Sequence, residues 1–165
     1  MSTLLFSFDH PESIRGWQPI NDAVMGGLSS SRLSHDVEGH AVFAGEVSLA
    51  NQGGFASVRS PVFATVAIGG SAYRLTVRGD GRRYKFSARM DERFDGVSYQ
   101  AGFVGAPGIW QELVIPLWSL QPSWRGRAVA DAPPLDPARV QQLGLLIGER
   151  QAGAFRLDIR RIELD

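Results

Sequence analysis

Short runs of alternating apolar and polar residues recur along this chain, punctuated by glycine and proline. Tyr73-Arg-Leu75-Thr-Val77-Arg78 places three apolar side chains on one face of an extended strand, and Tyr84-Lys-Phe86-Ser-Ala88-Arg-Met90 does the same. Between them lies Gly79-Asp80-Gly81-Arg82. Asp-Gly between alternating segments is a strong hairpin signal, because the favoured two-residue turns need positive φ. The pattern therefore predicts a hairpin there, and Gly69-Gly70 predicts another turn after the run Val66-Ala-Ile68. Phe155-Arg-Leu157-Asp-Ile159-Arg160 alternates cleanly, then slips phase at Ile162 and Leu164, which predicts a β-bulge near Arg160-Arg161. Further strands are expected at 4–8, 31–34, 40–49, 55–59, 98–104 and 111–116. Leu143-Gly-Leu145-Leu146-Ile147 is apolar throughout and reads as a strand buried on both faces.

One helix is expected, near 137–143, with Asp136 as N-cap and Pro137 at its first position. Residues 121–134 lack periodicity and read as a long loop. The whole is an all-β protein, an antiparallel β-sandwich for which a jelly roll is the leading topology and an immunoglobulin-like sandwich the alternative.

At 165 residues the chain suits one domain spanning 1–165. Its formal net charge is zero, with seventeen basic and seventeen acidic residues. That argues against a sequence-blind grip on nucleic acid and against a polybasic membrane anchor. Sixteen of the basic residues are arginines; Lys85 is the one lysine. The absence of cysteine excludes disulfides, thiolate metal sites and cysteine nucleophiles. No run approaches the ~20 apolar residues of a membrane span, and the N-terminus is unlike a signal peptide. A soluble, cytoplasmic protein without membrane insertion is the expectation.

Two glycine-paired stretches concentrate the candidate chemistry. Trp17 to Ser29 contains Asn21, Asp22, Met25, Gly26 and Gly27; Asn51 to Arg59 contains Gly53 and Gly54. Asn and Asp beside glycine turns commonly hydrogen-bond nearby backbone, so these side chains either lock the loops or line a polar pocket where the loops meet. Arg59 can pair with Asp22 or hold a ligand carboxylate or phosphate. Arg82 follows the Asp80-Gly81 turn. Arg125 and Arg127 flank Gly126 beside Trp124, and Trp and Arg dominate interface hot spots. Trp17, Trp110, Trp118 and Trp124 are candidates for stacking on sugar rings. His10, His35 and His40 lack zinc-ligand spacing. Asp91, Glu92 and Asp95 crowd a turn and offer a weak calcium possibility; otherwise no cofactor is expected. Met25-Gly26-Gly27 lacks the dinucleotide fingerprint, and no serine sits in a nucleophile elbow.

Eight segments, in order along nearly the whole chain, resemble the complex I intermediate-associated protein 30 family. They are Trp17 to Ser29; Gly45-Glu-Val-Ser-Leu49; Gly53 to Arg59; Gly79-Asp-Gly-Arg82 with Tyr84; Asp95-Gly96 with Tyr99; Arg125-Gly-Arg127; Pro134-Leu-Asp136; and Leu143 to Ile147 with Gln151, Gly153 and Phe155. The resemblance implies a galactose-binding-like jelly roll, similar in fold to certain carbohydrate-binding modules. Mitochondrial members are assembly chaperones for respiratory complex I. The chain resembles a stand-alone bacterial member, without presequence or appended nucleotide-binding domain. The implied function is a non-catalytic, assembly-factor-like protein. It would hold a protein partner through loops at one end of the sandwich, during assembly of a respiratory or other membrane complex. A carbohydrate- or small-ligand-binding module is the alternative.

Overall fold

The computed structural model describes residues 2–22, 26–65, 69–91, 93 and 95–165. The expected run at 66–68, Met25 and Glu92 lie outside those residues. Two antiparallel sheets face each other. The first is ordered β3 (Ser30–Asp36), β4 (His40–Val47), β13 (Gly153–Leu164), β6 (Ala72–Arg78), β9 (Trp110–Pro116), with β1 (Thr3–Ser7) also on β13. The second is ordered β11 (Arg127–Ala128), β10 (Gln121–Trp124), β8 (Ser98–Val104), β7 (Arg83–Arg89), β12 (Gln142–Ile147), β5 (Ala56–Arg59), β2 (Gln18–Pro19).

Alternation decides which side chains enter the core. Tyr73, Leu75 and Val77 point inward from the first sheet and meet Tyr84, Phe86 and Ala88 from the second; all are buried. Tyr73 and Phe86 bridge the sheets with ring centroids 5.0 Å apart. Trp17 closes one region of the core against Phe6 and Phe8, edge to face at 5.1 and 5.6 Å. The bulge in β13 is present: its register on β6 shifts between Ile159 and Arg161, so Ile162 and Leu164 return to the core.

Four local expectations change. The Asp80-Gly81 turn does not join a hairpin; β6 pairs with β13 and β9, while β7 pairs with β8 and β12. The turn carries the chain from one sheet to the other. Asp80 fixes it by accepting from the Arg82 N–H, the Tyr84 hydroxyl and the Arg156 N–H. Gly79 packs so closely on Gly105 that an added Cβ would lie 2.3 Å from its carbonyl oxygen.

The helix is a single 3-10 turn, Pro137–Arg139, capped by Asp136, whose side chain accepts from the Ala138 N–H. Val140 is already extended, and Gln141 donates to the Arg89 carbonyl, so β12 begins where the helix was to end. In β12 one face is core, while on the other Leu146 is only half-buried. Finally, the expected loop contains a hairpin. Arg125 and Gly126 both take positive φ, 49° and 76°, and join β10 to β11 by a tight turn.

Candidate functional site

The glycine-paired segments interlock around Asp22, which is fully buried. Its carboxylate accepts from the Ser29 N–H at 2.9 Å, the Ser29 hydroxyl at 2.6 Å, the Gly54 N–H at 2.7 Å and the Phe55 N–H at 3.3 Å. Burial pushes the Asp22 carboxyl up, but these donors together outweigh it and hold the group below the usual carboxylate value. The glycines make room for this carboxylate. A Cβ on Gly27 would sit 2.4 Å from the Asp22 carboxyl carbon, and one on Gly53 would sit 2.5 Å from Oδ2. Asn21 Oδ1 accepts from the Ser31 hydroxyl and the Ser57 N–H. Asn51, at φ 54°, donates to the Gly26 carbonyl and so ties one segment to the other.

Asn21 through Oδ1, Asp22 through its carboxylate and Asn51 through Nδ2 thus bond the chain itself. They cluster where β5 begins, beside the end of β12 and the start of β7, since Ala56 pairs with Ile147 and Ile147 with Tyr84. Arg59 stands at the other end of β5, opposite Gly144, and is not among the groups that bond Asp22. Arg82 is likewise used internally: its guanidinium donates to the Gln151 and Ala152 carbonyls.

A second cluster forms at that other end. Arg59 lies across Gly144, its Cγ 3.8 Å from where a Cβ would be, and Gln142 and Arg89 follow on the same outward face. A Cβ at 144 would also lie 2.6 Å from the Ser87 hydroxyl, so the glycine leaves the Arg59 chain its path. Arg89 donates to the Gly96 carbonyl at 2.8 Å. Its Nε is buried without a hydrogen-bond partner. Burial, and after it the Arg89 charge, lower the Arg59 pKa to about 10 against the opposing pull of Asp95. Burial also lowers Arg89, against the pull of Asp91 and Asp95.

The β10–β11 turn covers this end. Trp124 Nε1 donates to the Asp95 carbonyl at 3.0 Å, and Arg125 grips the Asp95 carboxylate from Nε at 3.0 Å and from a terminal nitrogen at 2.5 Å. The Arg125 guanidinium stacks 4.6 Å from the Trp124 ring centre. The Arg125 hydrogen bond, then the Arg125, Arg89 and Arg59 charges, hold the Asp95 carboxyl below its usual range against its desolvation. Trp124 stays 41 % exposed, and Arg127 is exposed on β11. Beyond Arg89, Met90 borders an open cleft of about 560 Å³ whose walls include Phe63, Thr65, Arg139 and Gln141.

The loops expected to form one binding end are therefore split between opposite ends of the second sheet. Arg89 was not singled out by sequence reasoning. Its signal was present in the phase of β7, which turns Lys85, Ser87 and Arg89 outward together. Of the tryptophans, Trp17 is core, and Trp110 is covered by the guanidinium groups of Arg78 and Arg160 at 4.9 and 4.1 Å. Trp118, in the crossing from β9 to β10, is 80 % exposed. Asp91 accepts from the Arg93 N–H and packs on Gly96. Among the described residues, no three His, Asp or Glu side chains come together to hold a metal ion. No helix among the described residues is long and apolar enough to cross a membrane.

Solved structures similar to this fold include carbohydrate-binding modules. The family 11 carbohydrate-binding module from Clostridium thermocellum, in complex with a β-1,3-1,4-mixed-linked tetrasaccharide, is 12 % identical, with a TM-score of 0.73 over 99 % of this chain and 94 % of that one. A family 29 carbohydrate-binding module, CBM29-2 in its K85A form, is 12 % identical with a TM-score of 0.53, over 100 % and 91 %. The agarase AgWH50C matches at 11 % identity and a TM-score of 0.63; this chain covers 24 % of it. These likenesses show the fold. A search of curated proteins finds no significant sequence match. The family model described as complex I intermediate-associated protein 30 matches residues 6–159, nearly the whole described sandwich. The chain belongs to the complex I intermediate-associated protein 30 family.

Proposed function

We propose that this protein is a non-catalytic binding protein that holds a protein partner at the Trp124–Arg127 end of its second sheet. Its setting is the assembly of a respiratory or other membrane complex. The observation that supports this reading is the exposed Trp124–Arg125–Asp95 cluster beside the half-buried Arg59 and Arg89. Tryptophan and arginine side chains that are already held in place lose little freedom on binding, which is what makes such residues hot spots. The most buried carboxylate, Asp22, is held ionised by loop N–H groups and is a poor general base. The family's name, with its reference to an intermediate of complex I, supports the assembly setting. Affinity capture from native extract, with mass spectrometry and rebinding of the purified partner, tests the proposal. Capture is expected to fail when Trp124 and Arg127 are both changed to Ala. A partner retained by that double variant overturns it.

A second reading, a carbohydrate- or small-ligand-binding module, has its own support. The outward face of the second sheet carries Ser87, Gln100, Gln142 and Arg59, hydrogen-bonding groups suited to hydroxyls. The neighbour of like fold holds a tetrasaccharide. Against it stands the scarcity of open aromatic rings among the described residues, since Trp118 lies off that face and Trp124 is partly covered by Arg125. A glycan array read alongside thermal-shift screening distinguishes the two.

A further inference from the structure

The first sheet ends at β9, which pairs with β6 along one side; among the described residues no strand pairs with its other side. An open strand edge presents unpaired N–H and C=O groups and recruits another strand unless it is short, charged or bent away. The other sheet ends carry such protection. β2 and β11 have two residues each, and β3 carries Arg32, His35 and Asp36. β9 runs for seven residues with Glu112 as its one charged side chain, and Arg74 of β6 draws that carboxylate back at 3.4 Å.

The backbone phase of β9 follows from its neighbours. The Leu117 N–H donates to the Ser71 carbonyl, and the Asp165 N–H donates to the Ala72 carbonyl. Ala72 therefore faces β13, and Tyr73 faces β9, where it pairs with Ile115. Hydrogen-bonding residues alternate along an antiparallel strand, so Gln111, Leu113 and Ile115 bond β6, while Glu112 and Val114 turn their N–H and C=O groups to the open side. Pro116 offers only a carbonyl there. Side chains alternate as well. Leu113 and Ile115 lie on the core face, opposite Leu75 and Tyr73, and Val114 stands outward, 58 % exposed. Leu113 is only half-buried, beside an open groove of about 370 Å³ that also borders Phe103 and Ile115. Trp118, just past the strand, is largely exposed.

We infer that β9 is a self-association edge, where a second copy of this chain pairs antiparallel about a twofold axis at Val114. A partner strand must keep its core face on the same side, which excludes one-residue slips. The register centred on Val114 sets that residue against Val114 of the second copy, Leu113 against Ile115, and Glu112 against Pro116. Apolar groups then meet apolar groups, and no like charges oppose one another. The two Val114 residues exchange a pair of N–H···O bonds, and each Glu112 N–H meets a Pro116 carbonyl. The Trp118 turn of each copy comes to the Trp110 end of the other. Trp118 and Val114 offer on the order of 300 Å² per copy, and the rest of the edge brings both copies together to about 1,000–1,200 Å². That is the low end for a specific interface and fits a reversible dimer at micromolar concentration. This inference goes beyond the binding reading and does not depend on it.

Sedimentation equilibrium on the whole purified chain, from about 5 μM to about 500 μM, is expected to show a reversible monomer–dimer equilibrium. Val114→Lys sets two like charges on the axis and should raise the dissociation constant about tenfold or more, with the melting temperature of the dilute chain unchanged. The chain has no cysteine, so single cysteines report the register. In Val114→Cys the two Cα atoms would lie about 5.5 Å apart, within disulfide reach. In Glu112→Cys they would lie about 14 Å apart. Under mild oxidation the Val114→Cys chain should form a covalent dimer much faster than the Glu112→Cys chain or a Val37→Cys chain, whose cysteine sits in an exposed turn elsewhere. A chain that stays monomeric throughout leaves this edge to another occupant and overturns the inference. So would a dimer that Val114→Lys leaves intact, or cross-linking of the Val114→Cys chain no faster than that of the other two.

Discussion

Asp22 holds the two glycine-paired segments together, and its removal has a calculable cost. In Asp22→Ala the Ser29 and Gly54 N–H groups lose acceptors at 2.9 and 2.7 Å, and the Phe55 N–H loses a weaker one at 3.3 Å. The Ser29 hydroxyl keeps the Ser48 carbonyl at 3.2 Å, so its loss is partial. A buried donor left without a partner costs roughly 1–3 kcal/mol. Two full losses, one weak and one partial sum to about 3–5 kcal/mol once water reaching the gap is allowed for. That is a large share of the ~5–15 kcal/mol that holds a domain together. Asp22→Asn keeps the volume but turns an NH2 toward a donor, and should cost about 2 kcal/mol. Urea unfolding measured at matched slope gives both numbers. A loss below about 1 kcal/mol for Asp22→Ala would refute the view that this carboxylate holds the loops.

Other expectations follow from the same geometry. Gly27→Ala and Gly53→Ala place a methyl 2.4–2.5 Å from Asp22, so each should lower the urea midpoint much as Asp22→Asn does, whereas Gly26→Ala meets no atom within 4 Å and should act only through its φ of 87°. His40 is buried with both ring nitrogens unbonded, and burial lowers its pKa despite Asp158 and Asp36 nearby. Its folded pKa lies below the unfolded value, so the unfolded chain binds the proton first. Stability should therefore fall as pH drops below about 6.5, and His40→Phe should flatten that slope in melts taken from pH 7.5 to 5. The Arg125–Asp95 pair is solvent-exposed, so Arg125→Ala should leave the melting temperature unchanged within error.

Much of this architecture was legible from local pattern. The strands at 98–104 and 155–164, and the bulge inside the second, follow from alternation alone, because half-buried strands repeat every two residues. Partnership was not legible. Tyr73–Arg78 and Tyr84–Arg89 each show a core face, but nothing local says that those faces oppose one another across the sandwich rather than share a sheet. The Asp80-Gly81 turn has the same chemistry in either arrangement. The Trp124–Arg127 hairpin escaped notice because an arginine holds the first positive-φ position. Asp22 could be suspected from its glycine neighbours, but two of the N–H groups that bond it come from Gly54 and Phe55, in the other glycine-paired segment. Arg59 and Arg89 are thirty residues apart and share one outward face only because β5 and β7 both pair with β12.

The central claim is that the glycine-paired loops lock the fold while binding takes place at the opposite end of the second sheet. Site-specific photo-crosslinking tests it directly, with a photoreactive residue at Trp124 in one protein and at Asn51 in another, both in native extract. The account predicts a discrete partner adduct from position 124, competed away by unlabelled protein, and none from position 51. A competable adduct from position 51 with none from position 124 would contradict it.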